Sequence, residues 1–586
     1  MTQYISPETL KAWREGTAPY AAIDVREPME FNKEQIYRTT NLPRGWLEFR
    51  IEVLVPVKDT PLALVDGGEG RAERCAETLA HHGYSRTAVL QGGIPAWKEA
   101  GLPTVSGTNV PSKEFGEEIL HEDRIPEIEA QELNALIEGG GPLRIFDSRT
   151  EAEYERFSIP TGVSLPGGEL ILHAWDMDQD KSSPLIINCA GRTRSIIGAG
   201  ALHRLGVTNA RALRNGGMGF ILAGLSLDHG KKSEIPQPSG RSRAHGEKLA
   251  ARLAEEEEIP SLSPDELRAL QEKSGSETLY LLDVRLAPEF RKGHIPGAIS
   301  IPGGQAVQRT DEVAAVRAGT IVTYCDANAR ATMAAYWLRR MGLPNVYFLR
   351  GGIAAWDAAG LSSETSSAPA DGESPSAGGA PLGLEEAQRS VRGVSPGEAS
   401  GMANGGAAVL DVDLSPAFRT GHIPGSRWVS RAWLEERAPG FARTGRGRFS
   451  SSAKTAPARR SRPRRSPGKA MRMPPSSRAE SGHGGRRAFR WKKERRVLKA
   501  PCSTWRSNLT TSAPRPCRII SIGKKSWESS RRKYFPRSGN NFPWPPFQLA
   551  DHPAGPRPNL GAVVDIENID LRLPFGLAPE TEYLKI

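Results

Sequence analysis

The sequence predicts an α/β protein of tandem, doubly wound parallel-sheet domains, followed by a basic, low-order C-terminal segment. Three observations predict it. An apolar run ending in an aspartate recurs four times, three of those copies share further residues at fixed distances downstream, and the excess positive charge is confined to one stretch near the C-terminus.

The recurring element reads Asp24-Val-Arg-Glu-Pro-Met-Glu-Phe31, then Asp147-Ser-Arg-Thr-Glu-Ala-Glu-Tyr154, then Asp283-Val-Arg-Leu-Ala-Pro-Glu-Phe290, and in weaker form Asp411-Val-Asp-Leu-Ser-Pro-Ala-Phe418. The intervals are 123, 136 and 128 residues, which suits a chain of 586 residues at one domain per ~150. Runs such as Tyr280-Leu-Leu282 before the acid predict a buried strand ending there. In copies three and four a Gly-His-Ile-Pro-Gly turn follows, at Gly293–Gly297 and Gly421–Gly425.

Forty-two residues after the leading acid stand Asp66, Cys189 and Cys325, each directly after an apolar run: Leu62–Val65, Leu185–Asn188 and Ile321–Tyr324. Five residues further comes an arginine, Arg71, Arg194 or Arg330, and seventeen further a glycine, Gly83, Gly206 or Gly342, placed to end a helix. An aromatic, Trp97, Phe220 or Trp356, stands thirty-one residues on, after Gly92-Gly93, Gly216-Gly217 or Gly351-Gly352. Strand, tight loop, helix and strand make a parallel βαβ crossover, and ligands of such sheets bind beyond the carboxyl ends of the strands. Cys189 and Cys325 belong to that edge.

Composition excludes several classes. At 38% hydrophobic and 25% charged residues, with no apolar run of ~18 and no apolar core near the start, the expectation is a soluble cytoplasmic protein. Five cysteines (Cys75, Cys189, Cys325, Cys502, Cys517), odd in number and without CxxC spacing, exclude a disulfide scaffold and a structural zinc cluster. Of the net charge of +11, residues 443–540 carry 29 Lys and Arg against three acids, so the rest of the chain is acidic.

Taken together, the D-x-R turn, the Gly-His-Ile-Pro-Gly turn, the strand-Cys-x4-Arg-helix loop and the Gly-Gly-x3-aromatic element resemble the rhodanese family of sulfurtransferases. The resemblance covers residues 5–105, 125–228, 258–362 and an interrupted 384–440. It implies four tandem rhodanese-like domains and a sulfurtransferase that moves sulfane sulfur from a donor such as thiosulfate through a cysteine persulfide. The partners it implies are a small sulfur donor, a thiol or cyanide acceptor and a candidate protein sulfur acceptor, with no metal, cofactor or membrane. In the family's two-domain thiosulfate enzymes an arginine stands six residues after the D-x-R acid and helps bind the donor; that place holds Glu153 here.

Sulfur transfer needs a thiolate that holds sulfur as a persulfide, and both resting forms are anions. A free thiol has a pKa of about 8.5, so the loop must supply helix N-terminal amides and cations. The loop Cys189-Ala-Gly-Arg-Thr-Arg-Ser195 offers Gly191 for the turn, Arg192 and Arg194 for charge, and the Thr193 and Ser195 hydroxyls. The Cys325–Arg330 loop keeps the nucleophile and Arg330 but sets Asp326 beside the sulfur. Cys189 is the expected nucleophile, Cys325 a second candidate, and Gly191, Arg192, Thr193, Arg194, Ser195 and Arg330 the expected substrate-binding residues. Asp66 removes the nucleophile from the first copy, and Cys75 reads as a core residue. Arg26, Arg149 and Arg285 read as structural partners of neighbouring acids, and His294 and His422 as turn residues. Residues 229–257 and 362–383 read as linkers, the run Glu255–Glu258 as a solvated helix face.

Two alternatives stay open. A phosphatase or arsenate reductase of the related fold would use Cys-x5-Arg, whereas these loops have four intervening residues. A non-catalytic sensor or docking protein would accommodate Asp66 and the degraded fourth copy. In that copy the pattern stops near Phe441, so residues 441–586 read as a frameshift product; the competing reading, a basic arm for nucleic acid, gives only non-specific, salt-sensitive attraction.

Overall fold

The computed structural model describes residues 2–366, 380–413 and 415–442. Of residues 441–586, read as a basic low-order segment, all but 441 and 442 lie outside the described residues, as does most of the expected linker 362–383.

Three sheets repeat one strand order. In the first copy Gln3–Ile5, Thr87–Leu90, Leu62–Val65, Tyr20–Asp24 and Thr40–Asn41 lie side by side, all parallel. The second copy orders Glu127–Ile128, Ala210–Leu213, Leu185–Asn188, Arg144–Asp147 and Val163–Ser164 in the same way. The third follows with Ser261–Leu262, Val346–Leu349, Thr320–Tyr324, Leu279–Asp283 and Ile299–Ser300. The central strands read as unbroken apolar runs because both faces are covered: Leu62–Val65 and Leu185–Asn188 are buried at every residue. A helix follows each, Arg71–His81, Thr193–Arg204 and Ala329–Arg340, and ends at a glycine in the left-handed region, Gly83, Gly206 or Gly342 (φ +89°, +96° and +83°). Among the described residues no helix is long and apolar enough to cross a membrane.

The aspartate of each D-x-R turn ends a strand, and the arginine two residues on closes the turn. Arg149 places Nε and Nη2 on the Asp147 carboxylate (2.9 and 2.7 Å) and also donates to the Phe157 carbonyl beyond the short helix Glu151–Arg156. Arg26 and Arg285 repeat this with Asp24 and Glu34, and with Asp283 and Gly293. His294 and His422 are turn residues, stacked 3.8 and 4.0 Å from Phe290 and Phe418.

One face of each sheet joins a large shared core that contains Leu64, Ile187 and Ile321. The opposite faces form separate clusters closed by Trp97, Phe220 and Trp356. Cys75 is fully buried in the shared core.

Two pairings organise the copies. Glu169 and Gln305 stand at the same place in copies two and three, 22 residues after the leading acid. Glu169 reaches Arg330 of the third copy (2.9 Å), and Gln305 reaches Glu153 of the second (3.2 Å). Between these two contacts the backbones touch glycine to glycine: a Cβ on Gly168 would lie 3.1 Å from the Gly303 nitrogen. The first copy has its own partner in residues 429–442. Arg44 pairs with Glu435 and Arg431 with Glu48, both at 3.0 Å, while the Arg71 guanidinium lies 4.6 Å from the centre of the Trp433 ring. Arg44 and Arg431 are equivalent positions, as are Glu48 and Glu435, so this contact is reciprocal, the mark of a two-fold relation.

Residues 408–428 form a small body of their own. Leu410–Asp411 pairs in parallel with Arg427–Trp428, the Asp413 amide donates to Asp411 (3.1 Å), and the Trp428 indole donates to the Asp413 carbonyl (2.8 Å).

The stretch 229–257, read as a linker, contains the 17-residue helix Gly240–Glu256. Ser242, Gly246, Leu249, Ala250 and Leu253 are buried along one stripe, and a Cβ on Gly246 would stand 2.8 Å from the Ile171 carbonyl oxygen. Of the acidic run, Glu256 and Glu257 both pair with Arg204.

Candidate active site

Cys189 stands directly after Leu185–Asn188 and four residues before the helix Thr193–Arg204, at the carboxyl edge of its sheet. It is 2% exposed, with Ala190, Gly191 and Arg192 half-buried as the rim above it. Its Sγ donates to Ser195 Oγ at 3.6 Å, and that hydroxyl donates in turn to the Arg192 carbonyl (2.7 Å). The loop carbonyls turn away from the sulfur: Cys189 O accepts from the Gly217 amide and Ala190 O from the Met218 amide, both at 2.9 Å. Gly216 makes this approach practicable, because a Cβ there would lie 2.1 Å from the Cys189 carbonyl oxygen and 2.7 Å from that of Gly191. With these two carbonyls bonded elsewhere, the loop keeps its amides and the first turn of the helix, groups that favour an anion.

The arginines expected to bind substrate are paired within the protein. Arg194 lays both terminal nitrogens on Glu153, at 2.7 and 2.6 Å. Burial works against both charges, yet the attraction and hydrogen bonds within the pair hold Glu153 far below the usual carboxylate range and Arg194 above its usual value; Cys189 adds to the latter. Arg192 is drawn outward to Glu117 (2.5 and 3.0 Å) and Glu127 (3.0 Å). Arg330 serves three carboxylates, Glu169, Glu289 and Asp326. Thr193 is buried against Gly116, where a Cβ would meet it at 3.3 Å.

The fork on Glu153 is a feature of the repeat. Arg71 grips Glu30 (2.7 and 2.8 Å) and Arg330 grips Glu289 (2.7 and 2.7 Å), six residues after each leading acid. These glutamates also accept from the backbone amides of Glu27, Thr150 and Leu286, so each caps its short helix and anchors the arginine together. The fork is present in the copy that has no cysteine. Its first role is to tie the nucleophile loop's helix to the D-x-R turn. The signal was visible as a recurring glutamate at the sixth place after the acid.

The three loops differ in what takes their amides. In the first, the Asp66 carboxylate accepts from Gly68 (2.8 Å), Gly70 (3.1 Å) and Ala72 (3.0 Å). In the third, Glu247 from the helix Gly240–Glu256 accepts from the amides of Asn328 (3.2 Å) and Ala329 (3.1 Å). In the second, no side chain among the described residues accepts from the amides of Ala190 through Arg194. The same loop, built three times, thus binds a carboxylate twice and has a thiol at its base once with its amides uncommitted to any side chain. Cys325 is fully buried; burial first, then Asp326, push its thiol up to about 12 against the pull of Arg330.

The element before each aromatic also differs from its sequence alignment. The left-handed cap that precedes the short helix is Gly92, Asn215 and Gly351, so Asn215-Gly216 is the counterpart of Gly92-Gly93. Asparagine tolerates that conformation where most side chains do not.

The rhodanese-like domain family matches residues 6–100, 129–222 and 263–359 of this chain. A sulfurtransferase of Allochromatium vinosum is 35% identical over 91 residues, 16% of this chain and 83% of that protein. An uncharacterised Bacillus subtilis protein, YqhL, is 33% identical over 108 residues, 18% of this chain and 80% of its own length. Among solved structures, a thiosulfate sulfurtransferase from Pseudomonas aeruginosa is similar over 74% of this chain and 79% of its own, with a TM-score of 0.66 and 36% identity.

Proposed function

The chain belongs to the rhodanese family of sulfurtransferases, and from that premise we propose that Cys189 is its sulfur carrier. The Cys189 thiolate attacks the outer sulfur of thiosulfate, the S–S bond of the donor breaks, and sulfite leaves with the electron pair. The resulting persulfide anion rests in the loop. Cyanide or a thiolate then attacks the terminal sulfur, the persulfide bond breaks, and the electron pair returns to Cys189 as thiolate.

The observation that carries this reading is the fate of the loop amides in the three copies: side-chain carboxylates take amides of the first loop (Gly68, Gly70, Ala72) and of the third (Asn328, Ala329), while no side chain among the described residues takes those of Ala190 through Arg194. The loop amides and the Arg194 charge behind the loop would together stabilise the thiolate and the persulfide, with the amides rather than a free guanidinium receiving the oxygens of an anionic donor. Glu153 replaces the donor-binding arginine of the two-domain enzymes, so binding of thiosulfate rests on Gly191, Thr193 and the loop backbone, with Arg192 on the rim. The Pseudomonas aeruginosa enzyme supports thiosulfate as the donor. A cytoplasmic location fits a catalytic thiol that must stay reduced. The first copy is a scaffold domain, because the Asp66 carboxylate occupies its own loop.

Cys189→Ser tests the reading. It should abolish most cyanide-dependent thiocyanate formation while the fold persists, since a hydroxyl cannot form the persulfide. Undiminished turnover would refute the assignment.

A further inference from the structure

The third copy retains a cysteine, the fork and the glycine that lets the carbonyls turn away: a Cβ on Gly352 would lie 2.3 Å from the Cys325 carbonyl oxygen. What distinguishes it is the helix Gly240–Glu256, which lays two consecutive turns of side chains on the loop. Arg243 meets Asp326 at 3.1 Å. One turn later Glu247 accepts from Asn328 N (3.2 Å), Asn328 Nδ2 (3.2 Å) and Ala329 N (3.1 Å). These donors are the loop and the start of the twelve-residue helix Ala329–Arg340, the positions whose counterparts at Cys189 are Arg192 and Thr193.

The contact is built, not incidental. Gly246 brings the helix backbone against Ile171, Ser239 and Ser242 bond Asp176, and Leu249, Ala250 and Leu253 enter the shared core. Asn328 is itself oriented, its Oδ1 accepting from the Gly351 amide at 2.7 Å. The first copy gives an independent precedent for a carboxylate in this loop, because Asp66 bonds from within the amide of Gly70, the counterpart of Ala329.

We infer that Glu247 determines which cysteine takes up sulfur: its carboxylate is a resident anion in the third loop, holding the amides that an anionic donor engages at Cys189, and so keeps Cys325 out of the reaction. The inference rests on the sulfur-carrier reading of Cys189 for its meaning but not for its test. With Glu247 removed, the amides are returned to an incoming anion, and Cys325 becomes able to attack the outer sulfur of thiosulfate, whose S–S bond breaks with sulfite leaving on the electron pair.

The experiment compares alkylation of Cys325, read by peptide mapping of the full chain at one pH, with iodoacetate and with neutral iodoacetamide. Glu247→Ala should raise the iodoacetate rate at Cys325 by about tenfold, and the iodoacetamide rate by less, because the freed amides attract the reagent's carboxylate. The near-isosteric Glu247→Gln keeps the helix cover while removing the charge, and should also raise the iodoacetate rate more than the iodoacetamide rate. Iodoacetate rates within about twofold of wild type in both variants, with unchanged melting, would overturn the inference. An equal rise for both reagents would overturn it too, since that reports loosened packing rather than a released anion site. In Cys189→Ser/Glu247→Ala, thiosulfate should place sulfur on the Cys325 peptide. The alkylation result stands whether or not Cys189 carries sulfur, so failure of either reading can be told from failure of the other.

Discussion

Removing Arg194 should damage stability and reactivity by separable routes. Its side chain is 7% exposed and that of Glu153 21%, with two hydrogen bonds of 2.6 and 2.7 Å between them. Arg194→Ala leaves a carboxylate buried without its cation, and Glu153→Leu leaves a guanidinium in the same state; each should cost about 3–5 kcal/mol. The double variant Glu153→Leu/Arg194→Met removes both charges and fills the space, so it should recover most of that loss. Reactivity should not recover with it, because the cation whose charge acts on Cys189 is gone. The assay is a urea unfolding cycle paired with iodoacetamide labelling of Cys189 near neutral pH. The same cycle on Arg71 and Glu30 is the control: Glu30 is more exposed, so the stability loss should be smaller, and labelling of Cys189 should not change. Stability effects that add to within about 0.5 kcal/mol would refute the coupled fork. Wild-type labelling in the double variant would refute any action of Arg194 on the sulfur.

Gly216→Ala should cut sulfur transfer severely, since its Cβ would overlap the Cys189 carbonyl oxygen at 2.1 Å; Gly206→Ala, at φ +96° with nothing within 4 Å, should lose only the ~1 kcal/mol of a left-handed alanine and keep activity. The pH profile of unfolding should show the Glu153 contribution: its folded pKa lies below the unfolded value of about 4.3, so the stabilisation is complete above that pH and is lost as pH falls toward the lower folded value, and Glu153→Gln should flatten this limb. Ending the chain after Arg443 should leave the melting of the first three copies and their activity unchanged. Ending it after Ala407 should lower the melting temperature, because it also removes Arg431, Trp433 and Glu435 from the first copy; equal melting of the two truncations would contradict the pairing.

The repeat was legible because its physics is local. A parallel strand covered on both faces must be largely apolar, so Leu62–Val65 and the Leu185-Ile-Ile187 run announce themselves, and the helix-ending glycines Gly83, Gly206 and Gly342 sit where a left-handed residue is needed. Cys189, Ser195 and the Asp–Arg turns followed from the same spacing. The helix Gly240–Glu256 did not, because only a narrow stripe of it faces the core and nine of its seventeen residues are exposed, a pattern that reads as a linker. Glu247, Glu169 and Gln305 bond Asn328, Arg330 and Glu153 from 81, 161 and 152 residues away in sequence, and no spacing rule connects them. The role of Arg194 was read from its distance to Cys189 alone; the glutamate that grips it was equally regular but lay in a different motif. The short element at Asn215 was misaligned by one residue because asparagine stood in for the glycine of the other copies.

The most direct test is the mass of the protein after brief exposure to thiosulfate, followed by peptide mapping without reductant. The account predicts the mass of one added sulfur atom, located on the peptide that contains Cys189, removed by cyanide, and missing from Cys189→Ser. Sulfur found on Cys325 in the unaltered chain, or no added sulfur while thiocyanate is still formed, would contradict it.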